Sequence, residues 1–378
     1  MAGLYIHIPF CESRCIYCGF YSTTLSSLKD DYVDAVCHEM EIRHHYLPDA
    51  DRHIDTIYLG GGTPSTLSGV QLEKIFDCIY NKVYCGCHPT EITMECNPDD
   101  ITEDMADIIS TLPVNRVSMG AQTFNDDRLH FLHRRHTAED VRTAVDRLRK
   151  KGIDNISVDL MYGLPDETLE DWESDIQDLL ALNVDHISAY SLMIEENTVL
   201  YNMKEKGQIE EADEELSRTM YEELIRQTEA KGYEHYEISN FALPGKRSRH
   251  NSSYWNAIPY IGIGAAAHSY DMKSRQWNIS DVRKYIDNIN RDIIPAEKEV
   301  LDISTRYNDM ITTSLRTSDG INMTYVKETY GNKYVKFLLE NSHQYLIRNL
   351  MELIDDNIRI TREGLFVSDA IMSDLMYV

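Results

Sequence analysis

Short apolar runs alternate with longer amphipathic stretches along the first 230 residues of the chain. Runs rich in β-branched and aromatic residues predict six strands, at 4–8, 55–59, 91–95, 115–119, 155–161 and 185–192. Helical spacing of apolar residues predicts helices near 27–47, 68–82, 101–112, 137–151, 168–182 and 212–231. Strand–helix repeats form parallel sheets, and six units are too few for a closed eight-stranded barrel. The pattern therefore predicts an α/β protein with an open, partial (β/α)6 barrel.

The rest of the chain divides into two segments, so we predict a barrel over 1–232, a barrel extension over 233–300 and a small domain over 301–378. The extension includes a basic turn, PGKRSRHNSSYW, at 244–255. In the last segment the pattern predicts three helices, at 301–316, 323–329 and 333–342. A hairpin at 353–367 and a final helix follow them. This α+β arrangement resembles a winged-helix unit without a basic recognition face, which favours an interaction or lid domain.

Composition and charge exclude several classes of function. Hydrophobic residues make up 42% and charged residues 26% of the 378 residues, as in globular proteins. A net charge of −26 opposes binding to nucleic acids and to anionic membranes. No apolar run approaches the roughly 20 residues that span a bilayer, and the N-terminus lacks the pattern of a signal peptide. We therefore expect a cytoplasmic protein without a transmembrane segment or a nucleic-acid partner.

Three of the eight cysteines, Cys11, Cys15 and Cys18, follow the first predicted strand closely. In a reducing compartment such clusters bind metal or perform redox chemistry more often than they form disulfides. Three thiolates can hold three irons of a cubane and leave the fourth iron open to a ligand. A structural zinc site would need a fourth ligand, from His7, Cys37 or elsewhere. Cys85-Gly86-Cys87 is interpreted as a turn rather than a second metal site.

The spacing CxxxCxxC after YIHIPF, with GGGTPS after the second strand, resembles the radical-SAM superfamily. Within it, the chain is similar to the oxygen-independent coproporphyrinogen III oxidase family from about residue 3 to the end. The resemblance implies a [4Fe–4S] cluster on the three cysteines, with S-adenosylmethionine (SAM) bound over it. It also implies reductive cleavage of SAM to methionine and a 5′-deoxyadenosyl radical, with an electron donor such as a flavodoxin or ferredoxin.

The ends of the other strands offer candidate SAM ligands. Tyr5 matches a family residue at the SAM site, and Tyr17 lies between the last two cysteines, where it can meet the adenine. Carbonyl groups of the Gly60–Thr63 turn, which contains Gly62 and Thr63, can accept from the SAM ammonium group. The Glu95 carboxylate can hold the ammonium or the ribose hydroxyls. For His7, on the same face as Tyr5, a structural role is equally open.

A second set of residues matches family positions around the cleft and a second SAM. Its members are Gln122 in GAQTFND, Arg134 in LHRRHT and Asp159 in SVDLMYGLP. The usual glycine before that arginine is replaced by His133, and a surface ion pair is the alternative reading of Arg134. Looser matches near the same site are Met193 and the segment GIGAAAHSY at 262–270.

Two functions remain open within the family: an oxidase that decarboxylates coproporphyrinogen, and a heme chaperone that binds heme and transfers it to apoproteins. Three departures from the oxidases favour the chaperone branch. Phe20 stands where the oxidases typically carry a cysteine, and only ten residues precede Cys11. The segment 250–255 also matches the HNxxYW pattern that is associated with heme in that branch.

The HNxxYW segment has side chains that suit heme. A neutral His250 imidazole can ligate the iron, and Tyr254 and Trp255 offer flat apolar faces to the macrocycle. The propionates can pair with a group of basic residues just upstream, Lys246, Arg247 and Arg249. The alternative is a structural turn in which His250 caps a backbone group and Trp255 packs in the core.

Overall fold

The computed structural model describes residues 1–47 and 53–378. Its centre is a run of six neighbouring strands, β1 (Ala2–Ile8), β2 (Ile54–Gly61), β3 (Glu91–Cys96), β4 (Arg116–Gln122), β5 (Ile156–Tyr162) and β6 (His186–Ser191). Each pairs in parallel with the next, in chain order. All six overlap the predicted strands, and the α/β class is confirmed.

Eight helices accompany these strands in the described chain: α1 (Lys29–Ile42), α2 (Gly69–Asp77), α3 (Glu103–Thr111), α4 (Asp126–Phe131), α5 (Ala138–Lys150), α6 (Leu169–Ala181), α7 (Val199–Glu205) and α8 (Glu214–Ala230). The short helices α4 and α7 lie in segments without a helical prediction. Several helices begin with strong capping chemistry. In α5, for example, Thr137 and Asp140 each accept the other's backbone N–H, which satisfies two otherwise unpaired donors.

The two faces of the central sheet differ in polarity. Along β1, the side chains of Leu4, Ile6 and Ile8 are fully buried in the hydrophobic core beneath the helices. The alternate residues form the inner face, which is mostly polar or aromatic across the sheet: Tyr5, His7, Thr56, Tyr58, Glu91, Thr93, Glu95, Arg116, Ser118, Ser157, Asp159, His186 and Ser188. Parallel sheets usually bury apolar residues on both faces, so this inner face is suited to hold a polar ligand.

Residues 233–300 extend the sheet at both edges. At one edge, β8 (Asn240–Ala242) pairs antiparallel with β6 and with β7 (Glu234–Glu237). At the other, β9 (Tyr260–Ile263) pairs in parallel with β1. The remaining elements are β10 (His268–Tyr270), β11 (Ser274–Asn278), α10 (Val282–Ile289) and β12 (Ala296–Val300), which complete a sheet of twelve strands.

A helix, α9 (Arg249–Trp255), connects the two edges, so the prediction of a basic turn over 244–255 is wrong in its second half. The side chain of Ser248 caps the helix by accepting from the Asn251 N–H. The Glu91 carboxylate, at the start of β3, accepts the N–H groups of Arg249 and His250, both at 2.9 Å. These distant partners stabilise a helix that local sequence does not favour.

Residues 307–375 have a hydrophobic core of their own. Its elements are α11 (Ile303–Leu315), β13 (Ile321–Asn322), α12 (Met323–Tyr330), α13 (Asn332–Ile347), β14 (Met351–Ile354), β15 (Asn357–Ile360) and α14 (Ser368–Leu375). The predicted hairpin over 353–367 is too long, because 363–367 forms a 3₁₀ helix. The Thr361 hydroxyl accepts the Gly364 N–H and ends the strand there.

One fully buried carboxylate, Glu39 of α1, joins the barrel to its extension. It forms an ion pair with Arg43 at 2.9 Å and accepts from Asn278 at 2.8 Å. The Tyr285 hydroxyl donates to it at 2.5 Å and the Gly264 N–H at 2.8 Å. A buried charge is tolerated when it is paired and hydrogen-bonded in this way.

Removing this carboxylate leaves Arg43 as an uncompensated buried charge. We expect Glu39→Ala to lower the free energy of unfolding by about 3–5 kcal/mol in urea titrations of cluster-free protein. Glu340→Ala is the control, because Glu340 is 65% exposed and pairs with Lys336 at 3.6 Å on the surface. Its effect should stay within about 0.5 kcal/mol. Equal effects of the two substitutions would contradict the role of Glu39.

Candidate functional site

A cavity of about 500 Å³ opens at the C-terminal ends of the central strands. That volume lies in the range of small-molecule sites, at the end of the sheet where such ligands bind. Its walls bring together the predicted cluster and SAM residues, namely Tyr5, Cys11, Cys15, Tyr17, Cys18, Gly62, Thr63, Glu95, Gln122, Arg134 and Asp159. His133 and Met193 also line it, whereas 250–255 and 262–270 do not.

The cysteine loop presents three free, half-buried thiols to this cavity. Its start is held by the Cys11 N–H, which donates to Thr23 O at 2.9 Å. Further along, the Ile16 N–H donates to Leu132 O at 3.3 Å. Burial raises the pKa of Cys11 and of Cys18, because a low-dielectric environment disfavours the charged thiolate.

Two polar groups contact the sulfur atoms of this loop. The Thr63 hydroxyl lies 3.5 Å from Cys11 Sγ, and Arg134 Nη1 lies 3.4 Å from Cys15 Sγ. Hydrogen bonds and positive charge around cluster ligands stabilise thiolates and tune the iron. Within the described ranges, no three His, Cys, Asp or Glu side chains converge on a single-ion site. Three thiols on one loop, with hydrogen-bond donors against two of the sulfur atoms, are a donor set that fits an iron–sulfur cluster.

Cys85 and Cys87 lie in a turn around Gly86. Gly86 between them has a φ of 78°, in the left-handed region, and the Cys87 N–H donates to Tyr84 O at 3.0 Å. Cys85 is exposed, whereas Cys87 is buried. The geometry agrees with the turn interpretation.

The glycine turn after β2 fastens the cysteine loop to the sheet. The Gly62 N–H donates to Ile8 O and the Thr63 N–H to Phe10 O, both at 2.8 Å. A Cβ atom at Gly62 would lie only 2.7 Å from the carbonyl carbon of Pro9. Glycine is required here for a close approach of two backbone segments, in addition to any contact with a ligand.

Glu95 lies on the cavity wall with both oxygens engaged. Oε1 accepts from the Tyr58 hydroxyl at 2.7 Å, and Oε2 accepts from the Gly61 N–H at 3.0 Å. Burial raises the pKa of this carboxyl to about 7 despite these bonds. Burial also raises the pKa of Asp159, another acid on the wall. A bound cation would favour the ionised form of both acids, so the cavity suits a positively charged ligand.

Arg116 is a functional candidate that the sequence did not reveal. Its side chain is 1% exposed, and its Nε has no hydrogen-bond partner among the described residues. Nη1 makes a long contact of 3.5 Å with Thr93 Oγ1. The charge of Arg116 opposes the effect of burial on the pKa of both Glu95 and Asp159. We interpret it as the positive charge beneath the acidic wall of the cavity.

The tautomer of His7 follows from its two partners. Its Nε2 contacts the Tyr21 carbonyl oxygen at 3.2 Å, which can only accept, so the proton is on Nε2. Nδ1 then accepts from the Tyr5 hydroxyl at 3.0 Å. Burial lowers the pKa of His7 to about 4, so the ring stays neutral. His7 therefore orients Tyr5 at the cavity wall.

Arg134 is not a surface ion pair. Besides the Cys15 sulfur, it binds the Asn97 side chain and donates to Gly120 O at 2.6 Å. Asn97 follows β3 and was not predicted as a site residue. Gln122, with a φ of 71°, and His133, with a φ of 59°, are both in the left-handed region.

The HNxxYW segment lies at the opposite end of the barrel. His250 is 1% exposed and contacts Thr56, near the start of β2. Its Nδ1 is 2.8 Å from Thr56 Oγ1, and its Nε2 is 2.8 Å from the Tyr254 hydroxyl. Burial lowers the pKa of His250 to about 3, so the ring is neutral. Neither nitrogen is free for iron in this conformation, and heme ligation would require the helix to move.

Other parts of the predicted heme site also have partners within the fold. The Trp255 ring lies against the Arg316 guanidinium, 4.8 Å from its central carbon. Lys246 pairs with Asp185 at 2.8 Å and Arg247 with Glu234 at 3.1 Å. The segment therefore closes the floor of the barrel and contacts α11 through Trp255. It has a structural role, but as a helix in which His250 binds two side chains rather than as a turn in which it caps a backbone group.

Comparisons with known proteins agree with this geometry. Residues 5–179 match the family model of the radical SAM superfamily. The chain is 38% identical over 334 residues to the heme chaperone HemW of Bacillus subtilis, covering 88% of this chain and 87% of that protein. The chain belongs to the HemW family. HemW of Lactococcus lactis is 33% identical to it over 365 residues, or 95% and 93% of the two chains.

The fold of this HemW-family chain also matches a solved structure. The radical SAM enzyme coproporphyrinogen III oxidase (HemN) of Escherichia coli aligns with a TM-score of 0.84 over 99% of this chain and 90% of that one. At 20% identity, this likeness establishes the fold alone. Membership of the superfamily implies a [4Fe–4S] cluster and SAM. Among the described residues, no helix is long and apolar enough to cross a membrane.

Glu95 gives the site a measurable pH dependence. Its pKa is raised from about 4.5 to about 7 on folding, so the carboxyl stabilises the fold while it is protonated, and this contribution is lost as the pH rises. Glu95→Gln cannot ionise. Between about pH 5 and pH 8, we expect the unfolding free energy of the variant to rise by about 1–3 kcal/mol relative to the unchanged protein in urea titrations.

Glu340→Gln, on the exposed side of α13, is the matched control for this comparison. It removes one carboxylate at a distance from the cavity, and we expect no such change in relative stability. If Glu95→Gln and the unchanged protein responded equally to pH, the raised pKa of Glu95 would be wrong.

Proposed function

We propose that this protein is a heme chaperone that holds a [4Fe–4S] cluster on Cys11, Cys15 and Cys18, binds SAM beside it, and passes heme to an apoprotein in the cytoplasm. The observation that carries the proposal is the set of three free thiols at the mouth of a cavity with acidic walls. Family membership supports the chaperone activity, because the HemW relatives are named as heme chaperones.

The cluster would be held by the three thiolates, with Thr63 and Arg134 against two of the sulfur atoms. When bound, it would supply the single electron that SAM cleavage needs, received from a flavodoxin or ferredoxin. The role of the chain is to shape the loop and to place hydrogen-bond donors against the ligand sulfur atoms. The Arg134 guanidinium lies 3.4 Å from the Cys15 sulfur, where it would donate a hydrogen bond to a cluster ligand.

SAM carries a sulfonium and an ammonium group, and the cavity offers acids to both. Glu95 would accept from the ammonium, with Tyr5, Tyr17, Gly62 and Thr63 around the same molecule. A further group of wall residues would face the substrate or a second SAM, namely Gln122, Arg134 and Asp159. Binding of a cation would draw protons off Glu95, so SAM affinity would increase as the pH rises through about 7.

Heme is the cargo in this proposal. Contact of heme with His250, Tyr254 and Trp255 would require α9 to leave the floor of the barrel, since both His250 nitrogens are hydrogen-bonded there. The alternative activity, oxidation of a porphyrinogen, is implied by the resemblance of the sequence motifs to the coproporphyrinogen III oxidase family.

Cluster ligation is tested by anaerobic reconstitution of single variants. We expect Cys15→Ala to lose the [4Fe–4S] absorption and electron paramagnetic resonance signals, because one of three iron ligands is gone. Cys85→Ala, an exposed cysteine outside the cavity, is the control and should retain both signals. Zinc in the unchanged protein, or an intact cluster in Cys15→Ala, would contradict the assignment.

The choice of function is tested with heme and coproporphyrinogen offered separately to the reconstituted protein with SAM and reductant. We expect heme binding, seen in the Soret band, and transfer to an apo-heme protein, without release of carbon dioxide. Porphyrinogen decarboxylation without heme binding would favour the oxidase and contradict the chaperone.

A further inference from the structure

The mouth of the cavity has an exposed apolar rim. Phe20 is 74% exposed, Met193 is 72% exposed and Tyr190 is 43% exposed, and all three line the cavity. The loops that carry them adjoin, because a Cβ atom at Gly19 would lie 1.9 Å from the Glu195 carboxylate. Large apolar side chains exposed together at a cavity mouth indicate a site for an apolar molecule.

His133 places an exposed imidazole at the same cavity mouth. It is exposed and lines the cavity, and within the described part of the chain its ring has no hydrogen bond or ion pair. Its φ of 59° places it in the left-handed region, where a non-glycine residue costs about 1 kcal/mol or more. A glycine would form this turn without strain, so the imidazole can be removed by His133→Gly while the backbone conformation is kept.

The residues immediately before and after His133 both contact the cysteine loop. Leu132 O accepts from the Ile16 N–H at 3.3 Å, and Arg134 contacts the Cys15 sulfur at 3.4 Å. The Leu200 N–H in turn donates to Ile16 O at 3.0 Å. The turn, the cysteine loop and the segment after β6 therefore form one continuous rim.

We propose that heme docks at this rim, with His133 as the axial ligand of the iron and Phe20 and Met193 against the macrocycle. This inference rests on the proposed heme binding and deepens it. An imidazole without other partners is a good iron ligand, and an aromatic ring packs well on a porphyrin. Arg14 is exposed on the same wall and makes no ion pair within the described residues, so it is available to a propionate.

Accessibility distinguishes this site from the HNxxYW segment. His250 is 1% exposed, and both of its nitrogens are hydrogen-bonded beneath the sheet. Iron ligation there requires the hydrogen bond of the ligating nitrogen to break and α9 to be displaced. Ligation by His133 requires neither, so heme can reach the rim in the conformation described here.

The substitution His133→Gly tests the proposal without endangering the fold. It removes the imidazole and relieves the left-handed strain, so the free energy of unfolding should stay equal or rise. In anaerobically reconstituted protein, we expect heme affinity to fall by about tenfold or more and the Soret band to shift, with added imidazole restoring the band. His343→Ala, at an exposed histidine on α13, is the control and should change neither property.

Two further variants separate this inference from the function on which it rests. Phe20→Ala should weaken heme binding without shifting the Soret band, because it removes packing and not a ligand. If the unchanged protein binds heme, and His250→Phe abolishes binding while His133→Gly leaves affinity and spectrum unaltered, the rim site is wrong and the chaperone function stands. If the unchanged protein binds no heme, both proposals are overturned.

Discussion

The polar inner face of the central sheet is the constraint on which the rest of the structure depends. Charged and hydrogen-bonding groups inside a barrel must have partners, because unpaired polar groups are costly to bury. At the N-terminal end, α9 supplies partners: Glu91 accepts two of its N–H groups, and His250 hydrogen-bonds to Thr56. At the C-terminal end, Glu95 and Asp159 face the cavity, which leaves room for a ligand to supply partners.

This division explains why the cysteine loop and the HNxxYW segment lie at opposite ends of the molecule. The loop follows β1 directly and is clamped to the sheet by Gly62 and Thr63. The segment belongs to the connection between the two edges of the sheet, which passes beneath the strands. Arg116 lies between the two ends of the barrel. Its positive charge opposes the rise that burial causes in the pKa of Glu95 on the cavity side, and it adds to the lowering that burial causes in the pKa of His250 on the opposite side.

Local sequence patterns predicted the repeating strands and helices of the fold. Helix α9 and two of the site residues were not predicted, because they depend on contacts between residues that are distant in sequence. The six central strands and their main helices follow from periodicity and caps. Helix α9 was missed because Asn251, Ser252 and Ser253 are poor helix formers. Its N-terminus is also stabilised by the hydrogen bond from the Arg249 N–H to Glu91, which lies 158 residues earlier in the chain. The site residues after strands were recognised by motif. Arg116 and Asn97 were not, since their roles arise from tertiary contacts: Arg116 lies beside Thr93 of the neighbouring strand, and Asn97 binds Arg134.

A single histidine substitution in a turn shows how sequence and geometry combine. The resemblance to the family indicates that His133 stands where a glycine is usual. In the structure His133 adopts a φ of 59°, and its imidazole is exposed at the cavity mouth. In the HNxxYW segment, both nitrogens of His250 are hydrogen-bonded. The imidazole that is accessible to a ligand is therefore that of His133. The proposed rim site therefore uses an imidazole that heme can reach without displacement of α9.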